Sequence, residues 1–386
     1  MKTALYTIFR CTNYGAVLQA YALARVLRGM LGADGVEVIN HRMDPRDNHL
    51  LGKISNPATP WLQRWRNKRK FAARYFHPEL FEARRAKTVR LIEEHIRPTK
   101  RLYKSPDELR GLPPYATVVV GSDQIWNPLL NHDFGHNQYL GTDLPESQDR
   151  VAYAASFGIS ELPEDCQPEY RAALSRFRRI TVREETGSDI CVKLLRLDAD
   201  RPQVVLDPTL LLTADDWRVA IGPDSKGPSG RFLIAYWVRT PAEEDIAALA
   251  RIAREMSVPV CMMSAGPMPK FRFPPEIAPY VDADPFDFVR AISGACGVVT
   301  DSFHGLQFSV LFRKPFLALG NVSDGKSNAS RLVDFCSRYG LSGGVQDIGD
   351  FRAFAGHHLA SFSGFASGAL EADRDRSMQL LREMLP

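Results

Sequence analysis

The chain has 386 residues, 45% of them hydrophobic and 24% charged, with a net charge of only +4. That length exceeds one ordinary core and predicts two domains of roughly 150–200 residues each, in a composition ordinary for a soluble globular protein. Six cysteines without a C-x-x-C pair, an N-terminus unlike a signal peptide and the lack of a long uncharged apolar run argue against a disulfide framework, a thiolate metal site, secretion and a transmembrane helix. A reducing, cytoplasmic setting is the expectation.

The first element reads strand–turn–helix: "TALYTIF", then "RCTNYG", then "AVLQAYALARVLRGM" with apolar residues at helical spacing. "VEVIN" is the next strand. A basic helical insertion follows at about 57–105. Thirteen Lys/Arg stand against four Glu between Trp61 and Arg101, and residues 61–76 add Trp61, Leu62, Trp65, Phe71, Tyr75 and Phe76. A basic helix with aromatics can pack as a solvated insertion, lie on the inner face of an anionic membrane, or hold a phosphorylated substrate; nucleic acid is not an expected partner. "ATVVVGSD" reads as a strand buried on both faces, and "RVAYAASFG", "RRITVREE" and "PQVVLDPTLLL" read as further strands.

Residues 222–230, "GPDSKGPSG", read as a linker closing a first domain of residues 1–221. A second series over 231–370 runs "RFLIAYWV", a helix in "PAEEDIAALARIAREM", "VPVCMMS", a helix around "PFDFVRAISGA", "CGVVTDS", a helix in "GLQFSVLFR", and "PFLALG". The last helix, 371–386, is expected to pack back on the first domain. Strands alternating with helices in both halves predict an α/β protein of two Rossmann-like domains, with parallel sheets facing a central cleft. Ligands of open parallel sheets bind beyond the carboxyl ends of the strands.

Those strand ends carry polar clusters. "NYGAVLQ" places Asn13 and Gly15 at a helix N-terminus. "GSDQIWNP" offers Asp123, which can orient a hydroxyl, and Trp126, which can stack on a sugar face. "VREETG" puts Arg183 at a strand end, and "TDSFHG" puts Asp301, Ser302 and His304 between a strand and a helix. Each cluster taken alone reads as a turn or cap. Their shared position at strand ends favours a site, in which His304 suits general acid–base work. H-E-x-x-H and G-x-S-x-G patterns are absent, so neither a zinc site nor a hydrolase nucleophile elbow is expected.

In this order, "NYGAVLQAYAL", "GSDQIWNP", "YAASFG", "VREETG", "LDPTLLL" and "TDSFHGLQFSVLFRKPFLAL" resemble the polysaccharide pyruvyl transferase family, over about residues 3–335. The resemblance implies a GT-B-like pair of domains. It also implies transfer of the pyruvyl unit of phosphoenolpyruvate onto two sugar hydroxyls as a cyclic ketal, with no cofactor beyond that co-substrate. His304 would be the acid/base; Arg183, Lys326, Ser302 and Arg331 would bind the donor; Asn13, Asp123 and Trp126 would bind the acceptor, lipid-linked or otherwise. Where some members carry Arg two places before the histidine, this chain has Ser302, leaving that phosphate to Lys326 or Arg331. A GT-B glycosyltransferase using a nucleotide sugar and a non-catalytic carbohydrate- or polyanion-binding protein are the alternatives.

Gly320, Gly325, Lys326 and Ser327 also match the G-x-x-x-x-G-K-[ST] spacing of a nucleotide phosphate loop. Such a loop usually opens its domain, whereas here only about sixty residues follow, with no clear further apolar strand. The stretch is better read as an anion-binding turn before a helix N-terminus.

Overall fold

The computed structural model describes residues 1–41, 60–130, 137–223, 227–321, 329–341, 343–353 and 359–386. The apolar runs form two six-stranded sheets. The first holds β1 (Thr3–Tyr6), β2 (Val36–Val38), β3 (Thr117–Val120), β4 (Arg150–Ala155), β5 (Arg179–Val182) and β6 (Gln203–Val204), in the order β2-β1-β3-β4-β5-β6. The second holds β7 (Leu233–Trp237), β8 (Val260–Ser264), β9 (Ile277–Pro279), β10 (Gly297–Thr300), β11 (Phe316–Gly320) and β12 (Val345–Asp347), in the order β12-β11-β10-β7-β8-β9. Every neighbouring pair is parallel. The chain is therefore α/β, with two Rossmann-like domains.

Central strands such as β3 and β7 are buried along their whole length, as continuous Val/Ile/Leu/aromatic runs require when helices cover both faces. Each sheet reverses its winding once, between β1 and β3 in the first and between β7 and β10 in the second. At such a reversal adjacent crossovers leave to opposite faces and open a crevice at the strand ends.

Two stretches depart from their sequence reading. In "PQVVLDPTLLL" only Gln203–Val204 is strand; Asp207 then caps a helical turn, Pro208–Leu211, through bonds from Thr209. The stretch after the glycine-lysine motif, read as holding no clear further apolar strand, does hold a short one: β12 pairs with β11 through Ala318–Gly320. It is three residues long, partly polar and pairs on one side only, so it leaves no apolar signature.

Helix Tyr14–Leu31 is apolar on most of its circumference because it is covered from both domains. Its Tyr14 ring stacks on Phe288 at 5.1 Å, and the Tyr14 hydroxyl donates to the Ala283 carbonyl at 3.0 Å. The basic insertion forms helices Trp61–Arg74 and Pro78–Leu91. It leans on the second domain: Phe76 N donates to Met268 O at 2.8 Å, and Phe71 and Phe81 bury with Val281. Helix Ser367–Met384 lies against the first domain, where Leu206 N donates to Ser377 Oγ at 3.0 Å.

Candidate functional site

The two crevices face one another. The cavity they share has a volume of about 400 Å³. Asn13 and Asp123 line it from beyond β1 and β3; Arg239, Asp301 and His304 line it from beyond β7 and β10; Arg331 closes one side.

Local chemistry places His304. Thr300 Oγ1, at the end of β10, donates to Tyr236 O at 2.8 Å and accepts from Ser302 N at 3.0 Å. Ser302 Oγ then accepts from Gly305 N at 3.2 Å, which caps helix Phe303–Leu311 and puts His304 in its first turn. Ser302 therefore serves first as a helix cap. The imidazole lies against the first domain: a β-carbon built on Gly15 would stand 2.1 Å from His304 Nδ1, so only glycine allows this approach. Asn13 Oδ1 accepts from Gly15 N at 3.0 Å, capping helix Tyr14–Leu31 at the same point.

On its other edge His304 Nε2 stands 3.3 Å from Asp207 Oδ2. Asp207 is fully buried and joins the two domains. Its Oδ1 accepts from Thr209 N and Oγ1 at 3.0 and 2.8 Å, while Oδ2 accepts from Arg183 Nη1 at 2.8 Å. Burial alone would push its carboxyl up; His304 and Arg183 outweigh burial and hold it well below the ordinary carboxylate range.

Arg183, expected to grip the donor, is not a free cation. Its side chain is 1% exposed and opposed by three carboxylates, Asp207 at 2.8 Å, Asp123 at 3.3 Å and Glu184 at 3.7 Å. Burial pulls its pKa down, and those carboxylates raise it above the ordinary value by more. Its guanidinium lies 4.8 Å from the centre of the Phe303 ring, which Arg331 also approaches, at 5.7 Å. Burial first, then Arg183, lowers the Arg331 pKa to about 10, which leaves it cationic at neutral pH. Phe303 and Arg331 also form part of the wall of a neighbouring cavity of about 750 Å³, which Arg183 lines as well.

Asp301 is the acidic group on the second-domain wall. It accepts from Val238 N and Arg239 N at 2.6 and 3.1 Å, and burial pushes its carboxyl up to about 6 against those bonds.

Thus Asn13, Asp123, Ser302, His304 and Arg331 surround one cavity, with Arg183 packed behind Asp123. Trp126 is corrected: it is fully buried, packs against Phe157 and Phe177, and donates its indole N–H to Tyr139 O at 3.2 Å. It has no face to offer a sugar. Lys326 and Ser327 lie outside the described residues, and Gly320, where their motif begins, ends β11 at the cavity wall. Sequence reasoning assigned no role to Asp207, Glu184 or Arg239. Asp207 was visible in "LDPT", an acid before Pro-Thr that suits a cap, but the partners of its second carboxylate oxygen, Arg183 and His304, are distant in sequence, and His304 lies across the cleft.

A family model described as polysaccharide pyruvyl transferase matches residues 13–324. Among curated proteins, none matches the sequence significantly. Solved structures of similar fold include the S. aureus MnaA–UDP co-structure, 11% identical, with a TM-score of 0.55 over 99% of this chain and 97% of that one. UDP-GlcNAc 2-epimerase from Methanocaldococcus jannaschii is 12% identical, with a TM-score of 0.49 over 99% and 100% of the two chains. At 11% identity the first likeness speaks to the fold alone: two facing Rossmann-like domains.

Proposed function

The chain belongs to the polysaccharide pyruvyl transferase family, and from that premise we propose that it moves the pyruvyl unit of phosphoenolpyruvate onto two hydroxyls of one sugar. The observation that carries this reading is His304. It comes from the second domain, stands 3.3 Å from a buried carboxylate of the first, and borders a cavity with an arginine on its wall.

In this reading Arg331 meets the donor's phosphate or carboxylate, with Arg183 behind it. Lys326, outside the described residues, is a further donor-binding candidate from sequence. Protonated His304 gives its proton to the methylene carbon of phosphoenolpyruvate, which becomes the methyl group, while a sugar hydroxyl adds to C2 and passes its proton to the departing phosphate. Phosphate then leaves with the C2–O bonding pair. A second hydroxyl of the same sugar adds to C2, and its proton returns to the imidazole. The two hydroxyl oxygens end as the ketal oxygens. Asp207 stabilises the imidazolium and holds its orientation; Asn13 and Asp123, on the cavity wall, would orient acceptor hydroxyls.

The test is phosphate release from phosphoenolpyruvate against a panel of sugar acceptors, with the products weighed by mass spectrometry. The expected product exceeds the acceptor by one pyruvyl ketal. His304→Ala should fold normally and lose turnover by roughly a hundredfold or more. Normal turnover in that variant would remove His304 from the mechanism. Transfer from nucleotide sugars, with none from phosphoenolpyruvate, would overturn the reading.

A further inference from the structure

The outer face of helix Trp61–Arg74 is unlike the rest of the surface. Its sequence, "WLQRWRNKRKFAAR", carries six Lys/Arg and no acid. Trp61 is 77% exposed, Trp65 50% and Leu62 45%. Trp61 and Trp65 are one helical turn apart, on one side of the helix. Phe71 is 3% exposed and packs inward with Phe81 and Val281, so the helix is anchored along a different side. Arg66, Arg69, Lys70 and Arg74 are exposed, and the Arg69 guanidinium lies 4.9 Å from the centre of the Trp65 ring. Large aromatics left in water on an anchored helix, inside a field of one sign, are unfavourable unless something covers them.

We propose that helix Trp61–Arg74 docks the protein on an anionic lipid surface, with Trp61, Leu62 and Trp65 entering the headgroup–acyl boundary and the surrounding cations meeting lipid phosphates. The charge selects the partner. A protein surface would supply discrete acids and hydrogen-bonding groups, whereas this face offers positive charge around tryptophans, the pattern that interfacial helices use. Membrane spanning is not implied, because no described helix is long and apolar enough to cross a bilayer. Docking would also set the cleft at a fixed relation to the bilayer. The following helix carries Arg84, which donates to the Thr12 carbonyl beside Asn13 and to the carbonyls of Ser264 and Ala265 at the end of β8. The inference does not depend on the chemistry proposed for His304.

The experiment uses the full chain with phosphatidylcholine vesicles, with and without phosphatidylglycerol. The protein should sediment with the anionic vesicles only, its tryptophan emission should shift to the blue, and added salt should weaken binding. Trp61→Ala/Leu62→Ala/Trp65→Ala alters only exposed side chains, so its melting should match wild type while its partitioning falls at least about tenfold. Arg66→Gln/Arg69→Gln/Lys70→Gln should lose binding in the same way. Wild type that ignores anionic vesicles, or a triple aromatic variant that binds them equally, overturns the proposal. So does binding to polyphosphate or RNA as tight as to vesicles and unaffected by the aromatic changes, which would make the face a polyanion site.

Discussion

Asp207 is the residue on which the geometry converges, because one carboxylate accepts from Thr209 and Arg183 and stands 3.3 Å from His304 Nε2. Removing its charge leaves Arg183 with two carboxylates instead of three and His304 with none at that edge. Breaking a buried pair of this kind costs about 3–5 kcal/mol, so Asp207→Asn should be destabilised by that order at neutral pH. The pH dependence has a definite sign. The folded carboxyl titrates below its unfolded value, which is about 3.9, so ionised Asp207 stabilises the fold above that value. The contribution is lost as pH falls through and below about 4. Urea melts from neutral to acid should therefore show a shallower loss for Asp207→Asn than for wild type; parallel curves would mean that the charge contributes nothing. This residue also shows how the site was legible. His304, Asn13 and Asp123 could be picked out because a polar group at a strand end is visible in one segment. Asp207 could not, because its role is defined by partners 24 and 97 positions away in the numbering. Trp126 failed for the opposite reason: a tryptophan beside "GSDQ" reads alike whether its ring faces a cleft or a core.

Among the elements, the insertion hairpin was legible as basic and helical but not in its mechanical role. That role rests on Arg84, 1% exposed, whose guanidinium lies 4.1 Å from the centre of the Tyr14 ring and donates to carbonyls of both domains. A planar fork can satisfy several carbonyls at once, which a lysine cannot copy. Arg84→Met keeps much of the packing and leaves those carbonyls without their donor, at a cost of about 1–3 kcal/mol for each one left buried and unsatisfied. The expected result is a lower melting temperature and faster amide exchange at Phe76 and Ala265, whose N–H groups bond across the same region. Unchanged melting and exchange would show that the hairpin is merely attached. Strands were legible in proportion to their burial. β3 and β7 are continuous apolar runs, whereas β6, β9 and β12 are two or three residues long and lie at or beside sheet edges. Their pairing is set by the neighbouring strand rather than by local preference.

At the scale of the molecule, the site exists only while the domains keep their relation, since His304 and Asp207 lie on different ones. Prominent among the features that hold that relation are the Tyr14–Phe288 stack, the Arg84 fork and helix Ser367–Met384. The last starts beside the second domain, where Arg338 Nε and Tyr339 Oη donate to Asp373 Oδ2, both at 2.8 Å. It then runs along the first domain, with Arg374 Nε donating to Leu210 O at 2.7 Å and Ser377 Oγ accepting from Leu206 N, next to Asp207. Leu370, Leu380, Leu381 and Met384 are at most 6% exposed. Burying four such side chains contributes roughly 6–12 kcal/mol, which is comparable with the whole net stability of a typical domain. A chain ending at Ala366 should therefore fail to give a soluble, cooperatively melting protein. Leu381→Ala, which removes one contact and leaves the strap in place, should remain soluble and lose about 2–5 kcal/mol. The two variants separate a docked strap from a decorative tail. If the truncated chain melts cooperatively at the wild-type temperature and Leu381→Ala is neutral, the helix contributes nothing, and the domains must be held by their other contacts, those of Tyr14 and Arg84 among them.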